Sequence, residues 1–79
     1  MEITVDLTIA RAPYLQIADG LRARIEAGEY TDRLPTLGDL MNEITPRPGY
    51  NTVRKAIRVL VKEGLVETSP RGTFIKRDG

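Results

Sequence analysis

The spacing of apolar positions changes several times along this chain. Ile3, Val5, Leu7 and Ile9 alternate with Thr4, Asp6 and Thr8. Period two with β-branched residues predicts a half-buried strand over Ile3–Ile9. No hairpin partner adjoins it, so it must pair with a distant segment or with another chain. From Ala12 to Gly28 the spacing becomes three and four. Tyr14, Ile17, Ala18, Leu21 and Ile25 then form one face of a helix. Pro13 suits its first turn and Gly28 its C-terminal cap. Gly20 costs about 1 kcal/mol against alanine inside a helix, and either marks close packing or has no significance.

A second, short helix is predicted over Leu34–Ile44. Leu37, Leu40, Met41 and Ile44 give its apolar face, and Thr36 with Asp39 resembles a capping box. "TPRPGY" then breaks the chain. The third helix, Asn51–Gly64, is the clearest. Val53, Ala56, Ile57, Leu60 and Val61 share one sector. Asn51, Lys55, Arg58 and Lys62 lie opposite, with Arg54 at the flank. Asn51 is a candidate cap and Gly64 the stop. Leu65–Lys76 reads as a β-hairpin, with Pro70 one residue into a type I turn and Gly72 at its fourth position. The fold class is therefore mainly α with a small β-sheet: an N-terminal strand or arm (1–11), then three helices and a hairpin (12–79).

At 79 residues this is one domain with a small core, and its stability is thin unless a partner helps. Cysteine and histidine are absent. That removes a disulfide framework, zinc sites of the usual kind and nucleophilic triads, so no cofactor and no metal are expected. Asp19, Asp39 and Glu43 are the only acids conceivable near a cleft, and nothing pairs them for acid–base work, so an enzyme is not expected. No apolar run approaches a membrane span, and the acidic, alternating N-terminus is not a signal peptide. A reduced, cytoplasmic setting follows.

Charge sharpens the picture. Residues 1–32 carry six acids and three bases, whereas residues 33–79 carry nine bases and five acids. From Arg47 to Lys62 there are five bases and no acid. Such asymmetry points to one basic face for a polyanion; its plainer meaning is a solvated helix face.

Two helices joined by a break, the second apolar on one side and basic on the other, describe a helix-turn-helix, and the hairpin makes it winged. Here "PYLQIADGLRARIEAGEY", "RLPTLGDL", "NTVRKAIRVLVKEGLV" and "RGTFI" resemble the DNA-binding domain of GntR-type transcription regulators, from Pro13 to about Ile75. The resemblance implies a winged helix-turn-helix that binds double-stranded DNA, usually as a homodimer. It implies a third helix in the major groove and a wing at the adjacent minor groove. Thr52 and Arg54 fall on the segment that meets phosphates and base edges. Thr36 falls at the start of the second helix, where a hydroxyl and backbone N–H can meet a phosphate. Arg71 and Gly72 fall on the wing tip.

The chain also departs from the family. Gly38 stands where an arginine is usual, and Gly49 and Tyr50 stand where a Ser-Arg pair is usual. The break is about two residues longer, and Pro70 replaces a common glycine. Arg47, in the lengthened loop, can substitute for the missing charge. The effector domain that normally follows is not in this sequence; if the chain is complete, no small-molecule effector is expected.

By chemistry, Lys55, Arg58 and Arg71, with Arg33, Lys76 and Arg77, are phosphate candidates. Arg54 or Arg58 can grip guanine and Asn51 adenine. Tyr50 can pack on a sugar or a thymine methyl. Each has a plainer alternative: Thr36 and Asn51 as caps, Arg54 paired with Glu43, Tyr50 over the core edge, Arg71 and Gly72 as a good turn. The N-terminal strand is either a dimer element or, by slight preference, a third strand on the wing. The expected function is a small sequence-specific bacterial or phage regulator, a repressor. The alternatives are an architectural or recombination-accessory DNA-binding protein, and a protein-interaction module that has lost DNA binding.

Overall fold

The computed structural model describes residues 2–76. Seven elements follow in order: β1 (Ile3–Thr4), α1 (Pro13–Glu26), α2 (Leu37–Asn42), β2 (Ile44–Thr45), α3 (Tyr50–Lys62), β3 (Val66–Ser69) and β4 (Gly72–Ile75). The three helices pack around Ile17, Ala18 and Leu21 of α1, Leu40 of α2, and Val53, Ala56, Ile57 and Leu60 of α3. Val66, Leu34, Ile3, Val5 and Ile44 close the core. Of the predicted α3 sector only Val61 fails to bury, at 38 % exposure, because it borders the wing rather than α1.

The N-terminal strand is shorter than its pattern and pairs elsewhere. β1 lies parallel to β2, Ile3 opposite Ile44 and Thr4 opposite Thr45. The Ile3 N–H donates to the Glu43 carbonyl (2.9 Å) and that of Val5 to Thr45 (2.8 Å). The strand thus has a partner in its own chain, and that partner is not the wing. Its alternation stops being used after Val5: Leu7 is 68 % and Ile9 50 % exposed. The cause is local. The Asp6 carboxylate accepts from the Thr8 N–H and hydroxyl, turning the chain. Gln16 of α1 accepts from the Asp6 N–H and donates to the Asp6 and Arg11 carbonyls, fixing the bend.

The third position beside the wing is taken by the segment between α1 and α2. The Leu34 N–H donates to Thr73 (2.9 Å) and the Ile75 N–H to Asp32 (2.8 Å), making an antiparallel bridge between Arg33 and Phe74. Leu34 is therefore extended and cannot begin α2, while Ile44 belongs to β2. The predicted second helix shrinks at both ends to six residues. Thr36 caps it, its hydroxyl accepting from the Asp39 N–H at 3.2 Å. Asn51 does not cap α3: Gly49 holds that position and Asn51 sits inside the first turn. The hairpin forms as predicted. Pro70 and Arg71 make its turn, neither with a positive φ.

Gly20 has a packing reason. A β-carbon there would lie 2.9 Å from Cγ2 of Ile3 and 3.0 Å from its Cγ1. The bare backbone lets β1 lie across α1. Gly20→Ala should therefore lower stability although alanine is the better helix former. Overpacking against a β-branched neighbour outweighs the roughly 1 kcal/mol of propensity gained. Thermal denaturation should show Tm falling by about 5 °C. A rise in Tm would mean that Ile3 yields freely.

Candidate nucleic-acid interface

Arginines around α1 are already matched. Arg11 forms an ion pair with Asp19 at 2.8 Å, and Arg22 bridges Asp19 (3.0 Å) and Glu63 (2.6 Å). Arg24 is buried and donates to Tyr30 (2.8 Å) and Glu43 (2.5 Å). The hydrogen bond from Arg11 is the largest of the causes holding Asp19 below its ordinary pKa, and the one from Arg22 does the same for Glu63. Burial opposes the charge on Arg24, but its bonds to Tyr30 and Glu43 leave its pKa raised. Glu43 is thus engaged by Arg24, which corrects the alternative that paired it with Arg54.

On α3 the opposite holds. Arg54, Lys55 and Arg58 are exposed, and among the described residues none takes part in an ion pair. Instead Arg54 and Lys55 use aromatic faces. Arg54 lies 5.9 Å from the ring centroid of Tyr50, one turn earlier, and Lys55 lies 5.7 Å from that of Tyr14 on α1. Such stacking steadies the long stems while leaving the charges in water. Tyr50 is exposed rather than seated over the core edge.

Adjoining depressions bring most of the expected residues together. Asn51, Arg54, Lys55 and Arg58 line one on the outer face of α3. Arg54 and Arg58 continue, with Lys62, into a groove of about 500 Å³ against Thr68 and Thr73 of the wing, floored by Leu37, Ile57 and Val61. Leu37, Ile57 and Thr73 also border the next groove, of about 460 Å³. There Thr36 and Gly38 of the α2 start meet Tyr50 and the wing turn from Ser69 to Gly72. Arg47 and Thr52 are not part of this run. They line a separate depression with Val5, Leu7, Pro13, Pro46 and Pro48, beside the N-terminal arm. Arg77 lies outside the described residues.

The wing turn has its own internal order. The Ser69 hydroxyl accepts from the Arg71 N–H (3.2 Å) and donates to the Gly72 carbonyl (3.3 Å). Gly72 adopts φ 131°, a conformation that only glycine takes readily. Thr68, Ser69 and Thr73 were not singled out in the sequence. The signal for Ser69 was legible, since serine before Pro-Arg-Gly favours a hydroxyl-bonded turn. That for the threonines was not, because only the packing of wing on α3 brings them to the groove. No group of carboxylates among the described residues could hold a metal ion, and no helix there is long and apolar enough to cross a membrane.

The family described as "Bacterial regulatory proteins, gntR family" matches residues 13–75. Solved structures share the fold over nearly the whole chain. YtrA from Sulfolobus acidocaldarius, a GntR-family transcription factor, is 30 % identical with a TM-score of 0.83, covering 100 % of this chain and 84 % of that one. The AraR DNA-binding domain in complex with operator ORE1 is 24 % identical with a TM-score of 0.77, over 95 % of this chain and 99 % of that one. YydK from Bacillus subtilis, a possible transcriptional regulator, is 24 % identical with a TM-score of 0.75; the match covers 87 % of this chain and 31 % of that longer one. No curated protein matches the sequence.

The ion pairs around α1 set an acid limit. Asp19 and Glu63 have folded pKa values below their unfolded ones. Their contribution is present above the unfolded pKa, about 4, and is lost as pH falls through the folded value. Tm should hold between about pH 7 and 5 and drop below about pH 4. Glu63→Gln should shrink that drop while lowering Tm slightly at neutral pH. Superimposable Tm–pH curves would show that the Arg22–Glu63 pair is energetically silent, as many exposed pairs are.

Proposed function

This chain belongs to the gntR family of bacterial regulatory proteins, and we propose that it binds operator DNA sequence-specifically as a small transcription repressor. The fold is that of GntR-family DNA-binding transcription factors. The observation that carries the finer reading is the partition of charge. The arginines around α1 are neutralised in place, whereas those of α3 form no ion pair among the described residues and are exposed and adjacent to the wing.

In this reading α3 lies in the major groove. Thirteen residues give a rod about 20 Å long, which the groove, about 12 Å wide, admits. Arg54 and Arg58 are the base readers, each with a planar fork suited to guanine O6 and N7. Asn51, released from capping, offers an amide for adenine. Lys55 supplies sequence-blind attraction to phosphate. Tyr50 packs on sugar or a thymine methyl, and Thr36 meets the backbone where α2 begins. Arg71 and Gly72 reach the neighbouring minor groove. Arg47 and Thr52, beside the arm, meet the flanking backbone. The AraR domain, whose structure was solved with operator DNA, supports this use of the fold. One such domain makes few contacts, so two copies on a palindrome are expected. Occupancy of a promoter then represses by excluding polymerase.

Selection of bound sites from a random duplex library tests the reading. The wild-type chain should enrich a motif with two inverted half-sites. Arg54→Ala with Arg58→Ala should lose the motif and weaken binding at least about tenfold, since each base grip is worth about 1–3 kcal/mol. Lys55→Ala should weaken all sequences alike and lower the salt slope by about 1. Binding without any enriched motif would instead favour an architectural role, and no binding at low salt would defeat DNA recognition altogether.

A further inference from the structure

Arg33 sits beside the wing and makes contacts that a phosphate counter-charge does not need. Its backbone neighbours dock the segment on β4, through Leu34 N–H to Thr73 and Ile75 N–H to Asp32. From that mooring the side chain reaches over the wing. The guanidinium carbon lies 5.6 Å from the Phe74 ring centroid. Its Nη2 donates to the Arg71 carbonyl at 3.3 Å, directly on the wing turn. Among the described residues Arg33 has no acid partner.

Gly72 is fitted to this arrangement. A β-carbon there would come within 3.2 Å of Arg33 Nη2. Glycine therefore serves the turn twice: it takes φ 131° and leaves room for the guanidinium. The guanidinium also suits the task for a chemical reason. A planar fork can lie over a ring and donate from its edge at once; an ammonium, a point charge on a flexible stem, does one or the other.

We propose that Arg33 is a positioning residue that clamps the wing turn and so fixes where Arg71 is presented to DNA. The inference rests on the DNA-binding reading above. The root of the wing is held by backbone bonds that survive loss of the side chain, so removing the guanidinium frees the tip alone. A free tip has to be ordered at binding, which weakens affinity. Arg33 thus acts through Arg71, and its effect disappears when Arg71 has nothing to contribute.

Arg33→Ala and Arg33→Lys, each alone and combined with Arg71→Ala, test this in the full chain. Affinity is measured on the duplex selected by the wild-type protein, and backbone order at the Arg71 and Gly72 amides by nitrogen-15 relaxation without DNA. Both single substitutions should weaken binding about threefold to tenfold. Neither should weaken it further once Arg71 is alanine, the mark of two residues acting as one. Order should fall at Arg71 and Gly72 and stay unchanged in α1 and α3. Full rescue by lysine, or additivity with Arg71→Ala, would make Arg33 a plain counter-charge and overturn the clamp. Unchanged amide order would overturn it as well, as would a loss of cooperative unfolding in both variants, which would mark a general structural role. No binding by the wild-type protein would remove the DNA reading and this inference with it; wild-type binding matched by every variant would remove the clamp alone.

Discussion

The buried guanidinium of Arg24 is the constraint on which the arrangement of elements depends. It projects from the last turn of α1 and meets Glu43, the residue that ends α2. Glu43 is used three ways at once. Its N–H closes α2 on the Leu40 carbonyl, its carbonyl accepts from Ile3 of β1, and its carboxylate takes Arg24. One residue thus sets where α2 stops, where the N-terminal strand lies and how far α1 stands from both. A charge placed among apolar neighbours is tolerated only with its partners in position, so the pair specifies a register more than it adds stability. Tyr30 supplies the second acceptor and brings the chain beyond α1 into the same knot.

With α1 and α2 fixed, α3 has one way to lie. Its narrow apolar sector meets Ile17, Ala18 and Leu21 on one side and Leu40 on the other, which turns Asn51, Lys55 and Arg58 outward. Arg22 reinforces this by reaching across to Glu63, just past the end of α3. Two of the acids, Asp19 and Glu63, are engaged by arginines from the first third of the chain. A nearly neutral protein, at +1 overall, thereby presents a basic surface whose cations form no ion pair among the described residues. What attracts a polyanion is the distribution of charge, and net charge conceals it.

The wing is assembled from two distant parts of the chain. β3 and β4 follow α3 directly, but their third neighbour is the Asp32–Leu34 segment before α2. This ties the start of α2 to the wing and makes the grooves on either side of that junction continuous. The short α2 is a consequence: Leu34 is needed for the wing and Ile44 for β2, leaving Thr36 as the position from which a helix can be capped.

The succession of an N-terminal strand, three helices and a hairpin, the helix faces, the hairpin turn and the basic side of the third helix were legible in the sequence, whereas β2 was not. Each legible feature follows from interactions within a few residues: apolar spacing at 3.6 or 2, a hydroxyl cap, a proline and a glycine at a turn. Which of Leu34, Ile44 and Leu7 would join the element its pattern suggested was not legible. Those residues are claimed by partners far along the chain, or released by the bend at Asp6. The same holds for Asn51, which lies two residues past the cap, and for Gly20, whose purpose appears only when Ile3 lies across it. The candidate surface divides in the same way. Its cations could be named from helical spacing, but Arg24 taking Glu43, Arg47 standing apart and Arg33 reaching the wing turn required the fold. Local geometry is written in neighbouring residues; the choice among competing long-range partners is made only when the whole core closes.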